Sequence, residues 1–118
     1  MDALVRGEYA TRTVTILDGD GDALDLTGAS VYFTATRRLS DAAAAALISK
    51  ETGAGIEHLT QSGDTVGQAT ITFDPADTSS LEAYRVDLHF AVWAVIATHP
   101  YPTQRGTLTV NSAAANPA

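Results

Sequence analysis

The chain has 118 residues, with 14 Asp and Glu against 7 Lys and Arg for a formal net charge of −7, and no cysteine. That length suits one domain with a modest core. The acidic balance argues against a nucleic-acid backbone or an anionic membrane surface as partner, and the missing cysteine excludes disulfides, thiolate chemistry and Cys-ligated zinc. The opening stretch from Met1 to Val14 lacks the apolar core of a signal peptide, and no run approaches the roughly 20 apolar residues of a membrane helix. The expectation is a soluble product made in the cytoplasm.

Thr11 to Leu17 alternates, Val14 and Ile16 against Thr13 and Thr15, which is the mark of a half-buried β-branched strand. Asp18-Gly19-Asp20-Gly21-Asp22 is a tight turn, because Gly supplies positive φ and Asp tolerates it. Leu24 and Leu26 resume the alternation before a turn at Thr27-Gly28. A second strand runs from Ser30 to Arg38, with Val31, Phe33 and Ala35 on one face and Tyr32, Thr34 and Thr36 on the other. Ser40-Asp41 and the five alanines at 42–46 read as an N-cap and a short helix that must pack on a neighbour. Leu47 to Glu51 reads as an edge strand, Thr52 to Gly55 as a turn, Ile56 to Thr60 as a weak strand and Ser62 to Asp64 as a further turn. Val66 to Phe73 is stronger, with Ala69, Ile71 and Phe73 opposed to Thr70 and Thr72. Asp74-Pro75-Ala76-Asp77 starts a helical turn in which Asp74 caps, Pro75 suits the first helical position and Asp77 adds favourable charge. Leu81 would pin that turn to the core.

Tyr84 to Val110 reads as a hairpin at the centre of the sheet. Tyr84, Val86, Leu88, Phe90, Val92, Ala94 and Ile96 share one parity. The other parity is polar at first, Arg85, Asp87 and His89, then turns apolar at Ala91, Trp93 and Val95. A strand apolar on both faces calls for a second cover, from a loop, the termini or another subunit. His99-Pro100-Tyr101-Pro102 interrupts regular pairing, since proline has no amide donor. A last strand runs from Thr103 to Val110, with Leu108 and Val110 inward and Thr107 and Thr109 outward. Many short strands with Gly-rich turns make the chain all-β, a β-sandwich over residues 1–110 with one or two short helical turns. Residues 111–118 form a small, polar tail in which composition predicts disorder.

No pattern marks a reaction centre. Asp18, Asp20 and Asp22 have the spacing that opens a calcium loop, but the sixth and twelfth positions are Ala23 and Ala29 instead of Gly and Glu; the stretch reads as a solvated hairpin tip. His58, His89 and His99 sit on three segments with no close-spaced ligand pair. Ser, His and Asp occur without a nucleophile-elbow or protease signature, and no Gly-rich phosphate loop opens a helix. No catalytic, cofactor or metal residue is assigned and no enzymatic activity is expected. Trp93 either packs under a loop of its own chain or anchors an interface, where Trp is enriched. Tyr32, Val95 and Tyr101 join it as candidate interface residues.

Pro75-Ala76-Asp77-Thr78, then Leu81, then Tyr84-Arg85-Val86-Asp87 and the closing Arg105-Gly106-Thr107-Leu108-Thr109-Val110 resemble a recurrent bacteriophage domain. So does the opening order of a strand, an Asp/Gly turn, Leu26-Thr27-Gly28-Ala29 and Val31-Tyr32-Phe33. The pattern, over about residues 8 to 110, is similar to the N-terminal domain of phage baseplate upper proteins and related tail-fibre adaptors. The resemblance implies an immunoglobulin-like antiparallel β-sandwich in the virion that joins host-recognition parts to the tail, commonly within symmetric oligomers. With eight residues after Val110, the expectation is a connector or a decoration subunit of tail, baseplate or capsid, not a fibre. It would be assembled in the host cytoplasm, with other virion proteins and its own copies as partners. The alternative is a surface- or carbohydrate-binding module with Tyr32, Trp93 and Tyr101 as aromatic platform, assisted by calcium at the acidic turn.

Overall fold

Strand β7, Arg85–Ile96, is the longest element, and its alternation sets the inside and outside of the molecule. Leu88, Val92 and Ala94 are buried, and Phe90 and Ile96 pack against the core from partly buried positions. The structure, a computed structural model, describes residues 3–5, 7–37, 46–79, 85–101 and 104–111. The other described strands are β1 Leu4–Val5, β2 Ala10–Thr15, β3 Ala29–Thr36, β4 Ile48–Thr52, β5 Gly55–His58, β6 Gln68–Phe73, β8 His99–Pro100 and β9 Gln104–Asn111. Helix among the described residues is confined to α1, Pro75–Ser79, and a 3-10 turn at Gly63–Thr65.

The protein is all-β. Its strands pair in one path, β1-β9-β7-β3-β4-β5-β6-β2, with β8 attached to β7, and the sheet curls until it is nearly closed into a barrel. The expectation of wholly antiparallel pairing needs correcting, because two ladders are parallel. β1 lies parallel to the end of β9, Leu4 opposite Val110. β4 and β5 are parallel at Glu51–Gly55 and Thr52–Ile56. The glycine corner explains the second case: Gly53 and Gly55 have φ of 83° and 100°, values open to a residue without Cβ, and the chain changes direction there instead of folding back as a hairpin. β4 is also interior, between β3 and β5, and not the edge strand expected of Leu47 to Glu51.

The core is built by alternation. Val31, Phe33 and Ala35 on β3 and Ala69, Ile71 and Phe73 on β6 are all buried, as their parity requires. Phe33 stands at the centre, edge-on to Phe73 at 5.5 Å and stacked on Phe90 at 5.8 Å. Phe90 lies over Gly106, its cross-strand neighbour; a Cβ at that glycine would come within 2.6 Å of the ring, so the pair requires a residue with no side chain.

Polar side chains close the ends. Gln61 accepts the amides of Leu26 at 2.8 Å and Gly67 at 2.9 Å and donates to the Leu59 carbonyl at 2.7 Å, tying the β5–β6 connection to the β2–β3 connection. The carboxylate that closes α1 is that of Asp77, which accepts the Asp74 amide at 2.7 Å and pairs with Lys50 at 2.7 Å. Buried Thr78 accepts the Gly7 amide at 2.8 Å and so ties α1 to the N-terminal segment. The alanine-rich helix expected at 42–46 lies mostly outside the described residues, as do Leu81, Tyr84 and the tail beyond Asn111.

β7 and β8 form a two-residue hairpin through Ala97 and Thr98, whose φ values are 49° and 68°. Hairpins of this kind need positive φ at both central residues and favour Asn-Gly; a side-chain-bearing L residue pays about 1–2 kcal/mol there. Replacing Ala97-Thr98 by Asn-Gly is expected to raise the unfolding free energy by about 1–2 kcal/mol, read from urea unfolding with an unchanged denaturant slope.

Candidate functional site

Where β4, β3 and β7 lie side by side, the outward parity carries the aromatic residues. Tyr32 is opposite Glu51 on one side and Trp93 on the other, so these three side chains form a row across the sheet. The next row is Ser49, Thr34, Ala91 and Arg105. Tyr32 and Trp93 stack, with ring centroids 5.5 Å apart and planes inclined by 22°. Both are half-buried. The stack accounts for part of that burial, and one face of the Trp93 indole is used by its own chain.

A shallow depression of about 280 Å³ opens beside the stack, lined by Tyr32, Thr34, Ser49, Lys50, Glu51 and Trp93. Lys50 belongs to the inward parity, opposite Phe33, and its ammonium group is turned to Asp77. The polar groups offered outward are therefore the Thr34 and Ser49 hydroxyls and the Glu51 carboxylate.

The structure brings together three of the four expected interface residues. Val95 has the parity of Trp93 and lies opposite Ser30 and Pro100. Tyr101 is placed differently. Its amide donates to the Ala94 carbonyl at 2.9 Å, which sets it opposite a buried residue and on the parity that Trp93 and Val95 do not share. The cause is a difference in register: β8 pairs with β7 one residue out of step with β9.

The acidic turn is closed on itself. The Asp18 carboxylate accepts the amides of Asp20 at 2.8 Å and Asp22 at 3.0 Å, while the Asp18 amide donates to the Asp22 carbonyl at 2.8 Å. Asp18 thus acts as an Asx-type turn former. The Thr27 hydroxyl, and after it the Thr27 amide, hold the Asp25 carboxyl below its ordinary value. This exposed carboxylate supports its turn above the unfolded-state pKa, and the support is lost as pH falls through the lowered folded value.

The histidines lie apart, His58 on β5, His89 on β7 and His99 at the β7–β8 hairpin. His58 Nε2 is 2.9 Å from the Thr52 hydroxyl, which itself accepts the Val31 amide at 2.8 Å. Among the described residues no three His, Asp or Glu form a group that could hold a metal ion.

Glu51, Ser49 and Thr34 are site residues that sequence reading did not single out. The outward parity of Thr34 was visible; its neighbours depend on β4 being interior. No protein-family model matches the chain, and no curated protein matches it either.

A double-mutant cycle on Tyr32→Ala and Trp93→Ala checks whether the ring pair acts as a unit. Thermal and urea unfolding are expected to give a coupling energy of about 0.5–1.5 kcal/mol, the usual range for stacked aromatic pairs.

Proposed function

We propose that this protein is a structural subunit of a bacteriophage particle, a small connector or decoration protein of tail, baseplate or capsid that works by contact with neighbouring virion proteins and with copies of itself. The observation that carries the reading is the outward apolar row on the central strands, the stacked Tyr32 and Trp93 with Val95 beside them. Trp and Tyr are the residues most enriched where interfaces draw their binding energy. Presented on paired interior strands, they are held rigidly, which reduces the entropy lost on association.

The order of the strands supports the immunoglobulin-like part of the proposal. The run β9-β7-β3-β4 has the order of the G, F, C and C′ strands of an immunoglobulin sandwich, and β2-β6-β5 that of B, E and D. In this view the short parallel β4–β5 ladder is the corner at which one sheet passes into the other. The sequence resemblance to phage baseplate and fibre-adaptor domains supplies the virion setting, and the net charge of −7 would keep free subunits soluble until they assemble in the host cytoplasm.

A second reading is favoured by the depression beside the stack. Hydroxyls of Thr34 and Ser49, the Glu51 carboxylate and an indole edge are the groups a carbohydrate site combines. A glycan array would separate the two: selective binding that Trp93→Ala abolishes favours the carbohydrate module.

For the assembly reading, Trp93→Ala is expected to fold, with an unchanged far-ultraviolet spectrum, yet to enter particles at least about tenfold less than wild type, the loss typical of an interface anchor. Immunogold labelling and quantitative mass spectrometry of purified particles provide the readout. A wild-type chain that stays monomeric and labels no particle would overturn the proposal.

A further inference from the structure

Among the described residues the two ends of the strand path do not meet. Among these residues β2 forms one end and pairs only with β6; at the other, β1 covers β9 only at Val110 and Asn111. The described bond across the gap is a side-chain staple, from an Arg12 terminal nitrogen to the Ala3 carbonyl at 2.7 Å. Between the edges lies a cleft of about 590 Å³ lined by Thr11 to Thr15 on one side, Phe90 and Val92 below, and Gln104 and Arg105 on the other side.

We propose that this seam is a strand-acceptor site, and that its occupant is an extended segment of a neighbouring polypeptide carrying a carboxylate on the side that faces Arg12. This deepens the assembly reading and rests on it. Three observations converge.

First, sheet edges offer rows of main-chain donors and acceptors that seek a partner strand, and an added peptide strand is a recurrent way of meeting that demand. The six-residue β2 edge, Ala10–Thr15, has neither proline nor an outward charge to discourage pairing. Second, the floor of the cleft is core surface: Phe90 and Val14 are half-buried and pack against the core from its open side. Third, two polar atoms within the cleft walls are buried without a partner, the Arg12 Nε and the Gln104 Oε1. The other two nitrogens of Arg12 are engaged, by the Thr11 carbonyl at 2.8 Å and by that of Ala3. A buried guanidinium N–H lacking an acceptor is costly, and a carboxylate is the acceptor that best offsets it.

The charge chooses the partner. Arg12 and Arg105 both line the cleft of a chain whose net charge is −7. Pairing β2 of one copy with β2 of another would bring two Arg12 side chains together and add the repulsion of two acidic bodies. An inward-pointing charge on an edge strand discourages that kind of self-pairing. A strand from a different protein with an acidic side chain at the inward parity meets both demands, and a neighbouring donor on it can satisfy Gln104.

The test uses the isotopically labelled full chain and two blocked heptapeptides in which threonine alternates with valine, a charged residue and valine; the charge is glutamate in one and lysine in the other. The glutamate peptide is expected to shift the amides of Thr11 to Thr15 and Gln104 to Thr107. It should bind about tenfold more tightly than the lysine peptide, the worth of one charge-assisted hydrogen bond. Arg12→Met should erase the preference; should that variant fail to fold, Arg12→Lys, which keeps the charge but has no Nε, must still reduce it. No binding, shifts elsewhere on the sheet, or equal affinity for the two peptides would overturn the proposal. A concentration-dependent dimer with β2 protected would overturn it in favour of a second copy. A chain that labels particles but ignores the glutamate peptide sinks the seam alone; one that binds the peptide at the seam but labels no particle sinks the assembly reading and leaves the seam standing.

Discussion

Strand β7 must satisfy partners on both sides and apolar neighbours on both faces, and the rest of the structure follows from that constraint. Its backbone pairs with β3 along one edge and with β9 and β8 along the other. Its inward parity supplies Leu88, Phe90, Val92 and Ala94 to the core, which fixes the register of β3 and β9 to the residue. A slip by one position would drive Trp93 into the space of Val92 and expose the whole inward set. The polar-to-apolar switch at Ala91 on the outward parity is therefore tolerated because register is already determined from inside. Burial holds the frame, and the outward row is free to serve contact.

The same frame explains why the sheet, among the described residues, has an open side. Curling the sheet brings β2 toward β9, but the two-residue β1 is too short to bridge them along their length. The cleft exposes part of the Phe90 ring, the ring that requires Gly106 beneath it. Aromatic packing at the centre and an unfilled edge are thus two aspects of one arrangement. The Tyr32–Trp93 row and the seam also lie on surfaces of different kind. One is the outer face of paired strands and offers side chains; the other is the end of a strand path and offers main chain.

Much of the fold was legible from alternation. Val31, Phe33 and Ala35, then Ala69, Ile71 and Phe73, and the inward half of β7 needed only a period of two to be placed in the core. The turn at Asp18 to Asp22 was readable from its Gly and Asp residues. What escaped was set by tertiary context. β4 reads as an edge because Ser49, Lys50 and Glu51 are polar, yet the Lys50 stem runs inward and its charge is met by Asp77 from a distant helix. β1 was missed because two residues carry no period. Tyr101 reads as a companion of Trp93 in the sequence, and only the one-residue difference in register between β8 and β9 reveals its other parity. The resemblance to phage domains rests on strand, cap and turn residues, which speak for a framework and are silent about the seam. Arg12 shares the parity of Val14, a signal present in the sequence; that its Nε lacks an acceptor depends on which edge the sheet leaves open.

The central claim is that the outward row at Trp93 is a contact surface. Its most direct test is hydroxyl-radical footprinting of Trp93 in the free subunit and in purified particles, with exposed Tyr9 as reference. The account expects Trp93 to be oxidised in the free subunit and strongly protected in the particle. Equal oxidation of Trp93 in both states, relative to Tyr9, would contradict it.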